Sequence, residues 1–231
     1  MITNSLLNLV MGKKGLFITG TDTDAGKTYI SSLIIRALRA EDMDTIGYKP
    51  ICCGDRNDAV EFADASGLSM DDEAALNRIN PVWMKTPAAP HVAAMFENLP
   101  IEKQRLLDGY QTLIETHDCV ITEGVGGWLV PIQGMEFSVA ELAIAIGDPV
   151  LLIVGNKLGA LNHTLLTVEA MRSRGVEPAG LIFNNLMDEL DTATITNKGI
   201  VEDMCGVEVI TDVIRGQESI ESWPFMELLG L

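Results

Sequence analysis

Short apolar runs alternate with amphipathic stretches along most of the chain. Residues 15–19 form a mostly apolar run, and residues 28–40 carry apolar side chains at the three- and four-residue spacing of a helix face. Together they predict a strand, a connecting loop and a helix, and this alternation then repeats. The predicted strands are 15–19, 45–49, 119–122, 150–154, 179–183 and 207–210, and the predicted helices are 28–40, 58–66, 101–115, 139–146, 163–173 and 194–205.

The composition of the strands indicates how the sheet is covered. Residues 150–154 (Val-Leu-Leu-Ile-Val) are apolar at every position, as is typical of a parallel strand that is buried on both faces. Ser138 followed by Glu141 predicts a capping box at the start of helix 139–146. We therefore expect an α/β fold with a doubly wound, mainly parallel sheet flanked by helices. Residues 68–90 have the least regular pattern.

Composition and charge narrow the function classes. The 231 residues include 33 acidic and 16 basic side chains, which give a formal net charge of −17. This excess disfavours nucleic acid or an anionic membrane as a partner, because few cations are available for phosphate groups. No apolar stretch approaches the roughly 18 residues that span a bilayer, and the cysteines form no C-x-x-C pair. We expect a soluble, cytoplasmic protein with free thiols, built as one domain over 1–231 with 1–14 as an N-terminal extension.

A glycine-rich loop stands between the first predicted strand and its helix. Residues 20–28 read Gly-Thr-Asp-Thr-Asp-Ala-Gly-Lys-Thr. In that position backbone N–H groups and the helix N-terminus cradle phosphates, Lys27 reaches the β- and γ-phosphates, and the Thr28 hydroxyl binds Mg²⁺. The spacing between Gly20 and Gly26 exceeds that of the strict P-loop by one residue. The loop predicts binding of ATP and Mg²⁺ in a P-loop NTPase-like fold.

Three further polar residues are expected at the same edge of the sheet. Glu123 follows strand 119–122 and precedes a glycine turn, where its carboxylate can face Mg²⁺. Asp58 opens the second helix and is either a second metal carboxylate or the N-cap of that helix. Lys49 ends the second strand beside the phosphate loop, a position that suits an anionic ligand.

The loop after strand 150–154 bears on the choice of base. Residues 155–159 read Gly-Asn-Lys-Leu-Gly, and Gly159 stands where the Asn-Lys-x-Asp reader of GTPases has its aspartate, which disfavours guanine. The helix that follows offers free N–H groups as a second anion site. His91 and His163 have no second histidine or cysteine at ligand spacing, so we interpret them as packing or capping residues.

Four sequence blocks resemble the dethiobiotin synthase family, whose members are ATP-dependent enzymes of biotin synthesis. The blocks are 19–28, 47–50 (Gly-Tyr-Lys-Pro), 123–131 (Glu-Gly-Val-Gly-Gly-Trp-Leu-Val-Pro) and 157–163 (Lys-Leu-Gly-Ala-Leu-Asn-His). The long phosphate loop is also a feature of this family. The resemblance implies a homodimer, with the active site at the subunit interface, that converts 7,8-diaminononanoate, CO₂ and ATP into dethiobiotin, ADP and phosphate with the help of Mg²⁺.

The resemblance also implies roles for individual residues. Catalytic roles are implied for Thr23, Lys27 and Lys49, and metal binding for Thr28, Asp58 and Glu123. Nucleotide contacts are implied for Asp22, Thr23, Asp24, Ala25, Gly26, Lys27, Thr28, Tyr29, Glu123, Gly126 and Asn184, the last of these to adenine. Substrate contacts are implied for Thr23, Lys49, Cys53, Gly126, Leu161 and Asn162. Leu161 and Asn162 mark the helix entrance at which the partner subunit receives the substrate carboxylate.

The chain departs from the family pattern at Cys53, where a serine is common, and at 211–214, which lack a proline often found in the nucleotide-side loop.

Two alternatives remain at this point. Partitioning-type ATPases are similar in fold, but they carry a second lysine five residues before the P-loop lysine, where this chain has Asp22. Their membrane or DNA contacts are basic, whereas residues 217–231 contain no lysine or arginine. Another ATP-dependent ligase of the same superfamily would form an amide and would need an ammonia source, for which this chain has no room. A requirement for the diamine in ATP turnover separates the three.

Overall fold

A computed structural model describes residues 15–134, 136–185 and 191–231, so the predicted extension 1–14 lies outside the described residues. The strands are β1 (Gly15–Gly20), β2 (Thr45–Tyr48), β3 (Ile51–Cys53), β4 (Val82–Met84), β5 (Cys119–Glu123), β6 (Pro131–Gln133), β7 (Phe137–Ser138), β8 (Val150–Asn156), β9 (Gly180–Asn185) and β10 (Val209–Ile214). The helices are α1 (Lys27–Ala40), α2 (Asn57–Ala65), α3 (Glu73–Ile79), α4 (Pro90–Glu97), α5 (Lys103–Thr116), α6 (Val139–Ile146), α7 (Ala160–Arg172), α8 (Thr192–Cys205) and α9 (Trp223–Leu228).

Six strands form the central sheet in the order β10-β9-β8-β1-β5-β2, and every neighbouring pair is parallel. Helices flank this sheet, which confirms the predicted α/β fold class. Two small ladders lie beside it, a parallel one between β3 and β4 and an antiparallel one between β6 and β7. Within the described residues, no helix combines the length and the apolarity needed to cross a bilayer.

The core follows the predicted patterns. Strand β8 is buried at all seven positions, as expected for a parallel strand with helices on both faces. Helix α1 buries Ile30, Leu33, Ile34 and Leu38, which share one face of the helix. Helix α6 begins with the predicted capping box: the Ser138 backbone N–H donates to Glu141 Oε2 (2.8 Å), and the Ala140 N–H donates to Ser138 Oγ (3.1 Å).

Several element boundaries differ from the predictions. Strand β10 covers Val209–Ile214 instead of 207–210, because Gly206 in the left-handed conformation ends α8 and the strand then pairs with β9 through Ile214. The segment 211–214, which we had assigned to a nucleotide-side loop, is therefore strand. Helix α7 begins at Ala160, three residues before the predicted start, after Gly159 with a φ of 95°.

The irregular segment 68–90 contains α3 and β4, and the helix α4 starts at its end. These elements were not predicted, nor were β3, the β6–β7 ladder and α9. Each is nine residues long or shorter, and an apolar pattern of that length does not distinguish helix from strand. A long-range contact fixes this segment, since Asn80 Nδ2 donates to the Lys49 carbonyl (2.8 Å). The same amide group also donates locally to the Val82 carbonyl (3.0 Å).

The order of the central strands brings the functional loops together. Strand β5 pairs with both β1 and β2, and in parallel strands the carboxyl ends meet at one edge of the sheet. The phosphate loop follows β1, Glu123 is the last residue of β5, and Lys49 comes directly after β2. Residues far apart in sequence are thus placed around one site.

Candidate active site

The phosphate loop folds around the amine of Lys27. Lys27 Nζ donates to the backbone carbonyls of Asp22 (2.9 Å) and Thr23 (3.1 Å), and only 4% of this residue is exposed. Burial, opposed by the carboxylate of Glu123 and reinforced by the charge of Lys49, lowers the pKa of Lys27 to about 8. The loop therefore holds a poorly compensated amine where the phosphates of ATP are expected.

Local geometry explains why the loop takes this shape. The Asp22 carboxylate accepts from the Thr23 N–H (2.7 Å) and caps a short helical turn, Thr23–Ala25. Gly26 lies in the left-handed region with a φ of 83° and leads into α1, a conformation that favours glycine. Asp24 is exposed in the same turn.

A second buried lysine lies opposite the loop. Lys49 Nζ is 2.5 Å from Glu123 Oε1 and 2.6 Å from Asp58 Oδ2, and 3% of its side chain is exposed. Burial alone would lower the pKa of Lys49, but the two carboxylates raise it above the ordinary value. Burial likewise opposes ionisation of Asp58, whose pKa is nevertheless held below its ordinary value chiefly by the ammonium group of Lys49.

Three oxygen-bearing side chains of this cluster fit a small, hard cation. The Thr28 hydroxyl donates to Glu123 Oε1 (3.0 Å), and Asp58 lies on the other side of Lys49. Glu123 is 1% exposed, and its Oε2 has no hydrogen-bond partner among the residues that the structure describes. A buried carboxylate oxygen without a described partner fits a cation, and oxygen donors are those that Mg²⁺ prefers. Asp58 is not the N-cap of α2, because that helix begins at Asn57 and Asp58 is its second residue.

A cavity of about 410 Å³ opens beside this cluster. Gly126 has a φ of 65°, and a Cβ there would lie 2.8 Å from Val130 Cγ2, so a side chain would crowd the cavity wall. Burial raises the pKa of the Cys53 thiol to about 11. The lining residues are Thr23, Cys53, Pro87, Ala88, Ala89, Pro90, Val125, Gly126 and Val130.

Much of the cavity wall is a segment that was not predicted as functional, Pro87, Ala88, Ala89 and Pro90. The available signal was a pair of prolines bounding two alanines before a helix, since Pro90 is the first residue of α4. Lys157 was likewise not predicted as functional, and its Nζ lies 3.7 Å from Asp22 Oδ2 and joins the β8–α7 loop to the phosphate loop.

The remaining predicted residues lie at two other places. On the nucleotide side, Asn184 Nδ2 donates to the Ala25 carbonyl (3.0 Å), and the Tyr29 hydroxyl donates to the Gln217 carbonyl. Leu161 and Asn162 occupy the first turn of α7, where backbone N–H groups have no acceptor within the helix. Neither residue lines the cavity. The structure thus places these two residues outside the cluster that holds the other substrate-side residues.

Comparisons with known proteins bear on the family and the fold of this chain. A family model described as an AAA domain matches residues 14–217. The ATP-dependent dethiobiotin synthetase BioD of Akkermansia muciniphila is 42% identical over 217 residues, which cover 94% of this chain and 99% of that protein. The BioD of Bacillus subtilis strain 168 is 34% identical over 202 residues, with 85% of each chain covered.

Among solved structures, the chain resembles the septum site-determining protein MinD complexed with Mg-ADP from Pyrococcus horikoshii OT3. The TM-score is 0.57 at 12% identity, with 94% of each chain covered. A ParA family ATPase from Chlorobium tepidum TLS gives 0.55 at 14% identity, covering 94% of this chain and 88% of that one. At such identities the likeness shows the fold alone. The sequence relatives decide the family: the chain belongs to the ATP-dependent dethiobiotin synthetases.

Proposed function

We propose that this synthetase assembles dethiobiotin from 7,8-diaminononanoate, CO₂ and ATP in the cavity beside the phosphate loop. The observation that carries the proposal is the meeting of two buried lysines, Lys27 and Lys49, and two carboxylates, Glu123 and Asp58, at one edge of the sheet. Phosphoryl transfer to a second anion needs cations at the reacting oxygens, because the reacting groups repel each other. The two lysines supply ammonium groups, and the two carboxylates can hold a metal ion.

The reaction has three steps. An amine of the substrate attacks CO₂ and loses a proton, which gives a carbamate. A carbamate oxygen attacks the γ-phosphorus of ATP and ADP leaves, which gives a carbamic–phosphoric mixed anhydride. The second amine then attacks the carbonyl carbon and loses a proton, phosphate leaves with the C–O bond electrons, and the ureido ring closes.

Each part of the site suits one of these demands. Lys27 binds the β- and γ-phosphates from within the phosphate loop, and Lys49 offsets the charge of the carbamate and of the transferred phosphoryl group. Thr23 and Gly126 line the cavity, and its proline, alanine and valine side chains accommodate the alkyl chain. Mg²⁺ held by Thr28, Asp58 and Glu123 would neutralise part of the triphosphate charge.

The active enzyme is a homodimer in this proposal. Leu161 and Asn162 lie outside the cavity of their own chain, yet their N–H groups are suited to a carboxylate. The neighbouring Leu158 is 82% exposed, as expected of an apolar side chain that a second subunit covers. The substrate carboxylate of one subunit would then be held by the helix α7 entrance of the other. We place the enzyme in the cytoplasm, where ATP and a reducing environment are available.

The test is isotope-traced product analysis. The protein is incubated with 7,8-diaminononanoate, ¹³C-bicarbonate and MgATP, and the product is examined by mass spectrometry. Dethiobiotin that carries the label in its ureido carbonyl is expected, with ADP release that depends on the diamine. ADP release at the same rate without the diamine would favour a partitioning-type ATPase, and a product without the labelled carbon would favour another ligase.

A further inference from the structure

Lys49 occupies the place between the two carboxylates that a metal ion is proposed to use. Its Nζ lies 2.5 Å from Glu123 Oε1 and 2.6 Å from Asp58 Oδ2, so both side chains are engaged by one ammonium group. The Thr28 hydroxyl bonds to the same Glu123 oxygen (3.0 Å). The three proposed metal ligands therefore belong to one cluster of contacts, in which Lys49 contacts both carboxylates and Thr28 contacts Glu123.

The charges of this cluster balance without any metal. Lys27 and Lys49 supply two positive charges, and Glu123 and Asp58 supply two negative ones. A divalent cation added to this group leaves uncompensated positive charge, which is costly around Lys49 and Glu123, whose side chains are buried, although Asp58 is partly exposed. The triphosphate of ATP reverses the balance, because it brings several negative charges to the phosphate loop.

The two lysines differ in their freedom to move away from these contacts. Lys27 Nζ is held by two carbonyls of its own loop, those of Asp22 and Thr23, which no metal needs. Lys49 is held by carboxylates alone in the contacts described, and its flexible stem allows the ammonium group to turn to another anion. Glu123 Oε2 is buried without a described partner, so this carboxylate has unused capacity for a cation.

We infer that Lys49 takes the place of the metal in the free enzyme, excludes divalent cations until ATP is bound, and then releases Glu123 and Asp58 to the metal. The inference rests on the proposed function, which assigns the metal to these carboxylates. The free ammonium group is then available to the γ-phosphate and the carbamate. The metal thus replaces Lys49 at the two carboxylates in the same step that places Lys49 at the reacting groups.

Manganese binding measured by electron paramagnetic resonance tests this exchange, because bound and free Mn²⁺ give different signals. Lys49→Met removes the charge but keeps most of the side-chain volume, and Lys27→Met is the matched control that removes an equally buried charge from the same site. Without nucleotide, we expect Lys49→Met to bind Mn²⁺ at least about tenfold more tightly than the wild type, or about 1.4 kcal/mol. Lys27→Met should gain far less, and Lys49→Met/Glu123→Gln should lose the gain.

The wild type with and without nucleotide provides a second measurement. It should bind Mn²⁺ in the presence of a non-hydrolysable ATP analogue and bind it weakly in its absence. The inference is overturned if the wild type binds Mn²⁺ without nucleotide as tightly as Lys49→Met does. It is also overturned if Lys27→Met gains the same affinity for Mn²⁺, because the gain would then depend only on the net charge of the site. Failure to bind Mn²⁺ even with the analogue would instead count against the proposed metal site itself.

Discussion

The two buried lysines of the site have opposite surroundings. Lys27 is 4% exposed and Lys49 is 3% exposed, but the pKa of Lys27 is lowered to about 8 whereas that of Lys49 is raised. Lys27 contacts neutral backbone carbonyls of its own loop, and Lys49 contacts two carboxylates from a different helix and strand. In the phosphate loop, backbone carbonyls hold a lysine whose charge is not paired with a contacting carboxylate of the described residues. Around Lys49, the charges of contacting side chains compensate each other.

The largest effect expected from this difference is on the stability of the free protein. Lys49→Met leaves the buried carboxylate of Glu123 and the partly exposed carboxylate of Asp58 without their cation, and it should lower the free energy of unfolding by about 3 to 5 kcal/mol. Lys27→Met removes a charge that burial disfavours and should raise it by about 1 to 2 kcal/mol. Urea unfolding in EDTA at pH 7, without nucleotide, measures both. Destabilisation of the same size in both variants would contradict the comparison.

The same pair gives a pH dependence with a defined sign. The pKa of Lys27 is about 8 in the folded protein, and the ordinary value of 10.5 applies to the unfolded chain. Between these two values the unfolded chain binds a proton that the folded protein has lost. The free energy of unfolding of the wild type should therefore rise with pH across this window, relative to Lys27→Met. The difference between the two proteins cancels the titration of other groups. A difference that stays constant from pH 8 to pH 10.5 would show that Lys27 titrates normally.

Turnover separates the two lysines in a second way. Lys49→Ala should lower kcat by about 100-fold or more, the effect of losing one preorganised charge in a site, while ATP affinity stays close to the wild-type value. Lys27→Ala should weaken nucleotide binding as well as turnover, because Lys27 meets ATP before the carbamate forms. Nucleotide titrations beside steady-state kinetics distinguish these outcomes. Lys49→Arg should rescue poorly, because a planar guanidinium does not fit the position of a compact ammonium group. Equal loss of ATP affinity in Lys27→Ala and Lys49→Ala would contradict the assignment.

The phosphate-loop side could be predicted because its determinants are local. The strand, the glycine loop and the helix follow each other within residues 15–40, and Lys27 contacts carbonyls four and five residues before it. Glu123 and Lys49 could be placed at the same edge because parallel strands end together. Their direct pairing could not, since it depends on the strand order that puts β5 beside β2.

The cavity side shows what the sequence leaves open. Its wall comes from Pro87, Ala88, Ala89 and Pro90, in a segment whose short elements are fixed by long-range contacts such as Asn80 to the Lys49 carbonyl. No apolar period marks such a segment. Strand β10 was placed too early because Val207 and the residues after it are apolar enough for an earlier start, whereas pairing with β9 fixes the strand at Val209–Ile214.

The first turn of α7 is proposed to bind an anion through backbone N–H groups, as the phosphate loop is proposed to do. Substitutions at Asn162 test this proposal. If the Asn162 N–H binds the substrate carboxylate of the partner subunit, Asn162→Ala should be mild, because the N–H remains. Asn162→Pro removes this donor at a helix position that tolerates proline, and should raise KM for the diamine by about tenfold, as expected for one hydrogen bond to a charged group. Steady-state kinetics give KM, and sedimentation shows whether the dimer persists. A fully active monomer at assay concentration would exclude this role.

The smallest expected effect is on substrate binding at Cys53, a side chain of the cavity wall. Cys53 lines the cavity with Thr23, and because burial raises its pKa to about 11, it is a neutral thiol and a weak hydrogen-bond donor at the pH of an assay. Cys53→Ser supplies a stronger donor and acceptor of similar size and should lower KM for the diamine by about threefold, the range of one net hydrogen bond. Cys53→Ala is the matched control, since it removes the thiol without adding a polar group, and its KM should stay within about twofold of the wild type. Both constants come from the same steady-state assay. If serine and alanine give the same KM, the side chain at position 53 makes no polar contact with the diamine. Thr23 and Lys49 would then provide the polar contacts to the substrate.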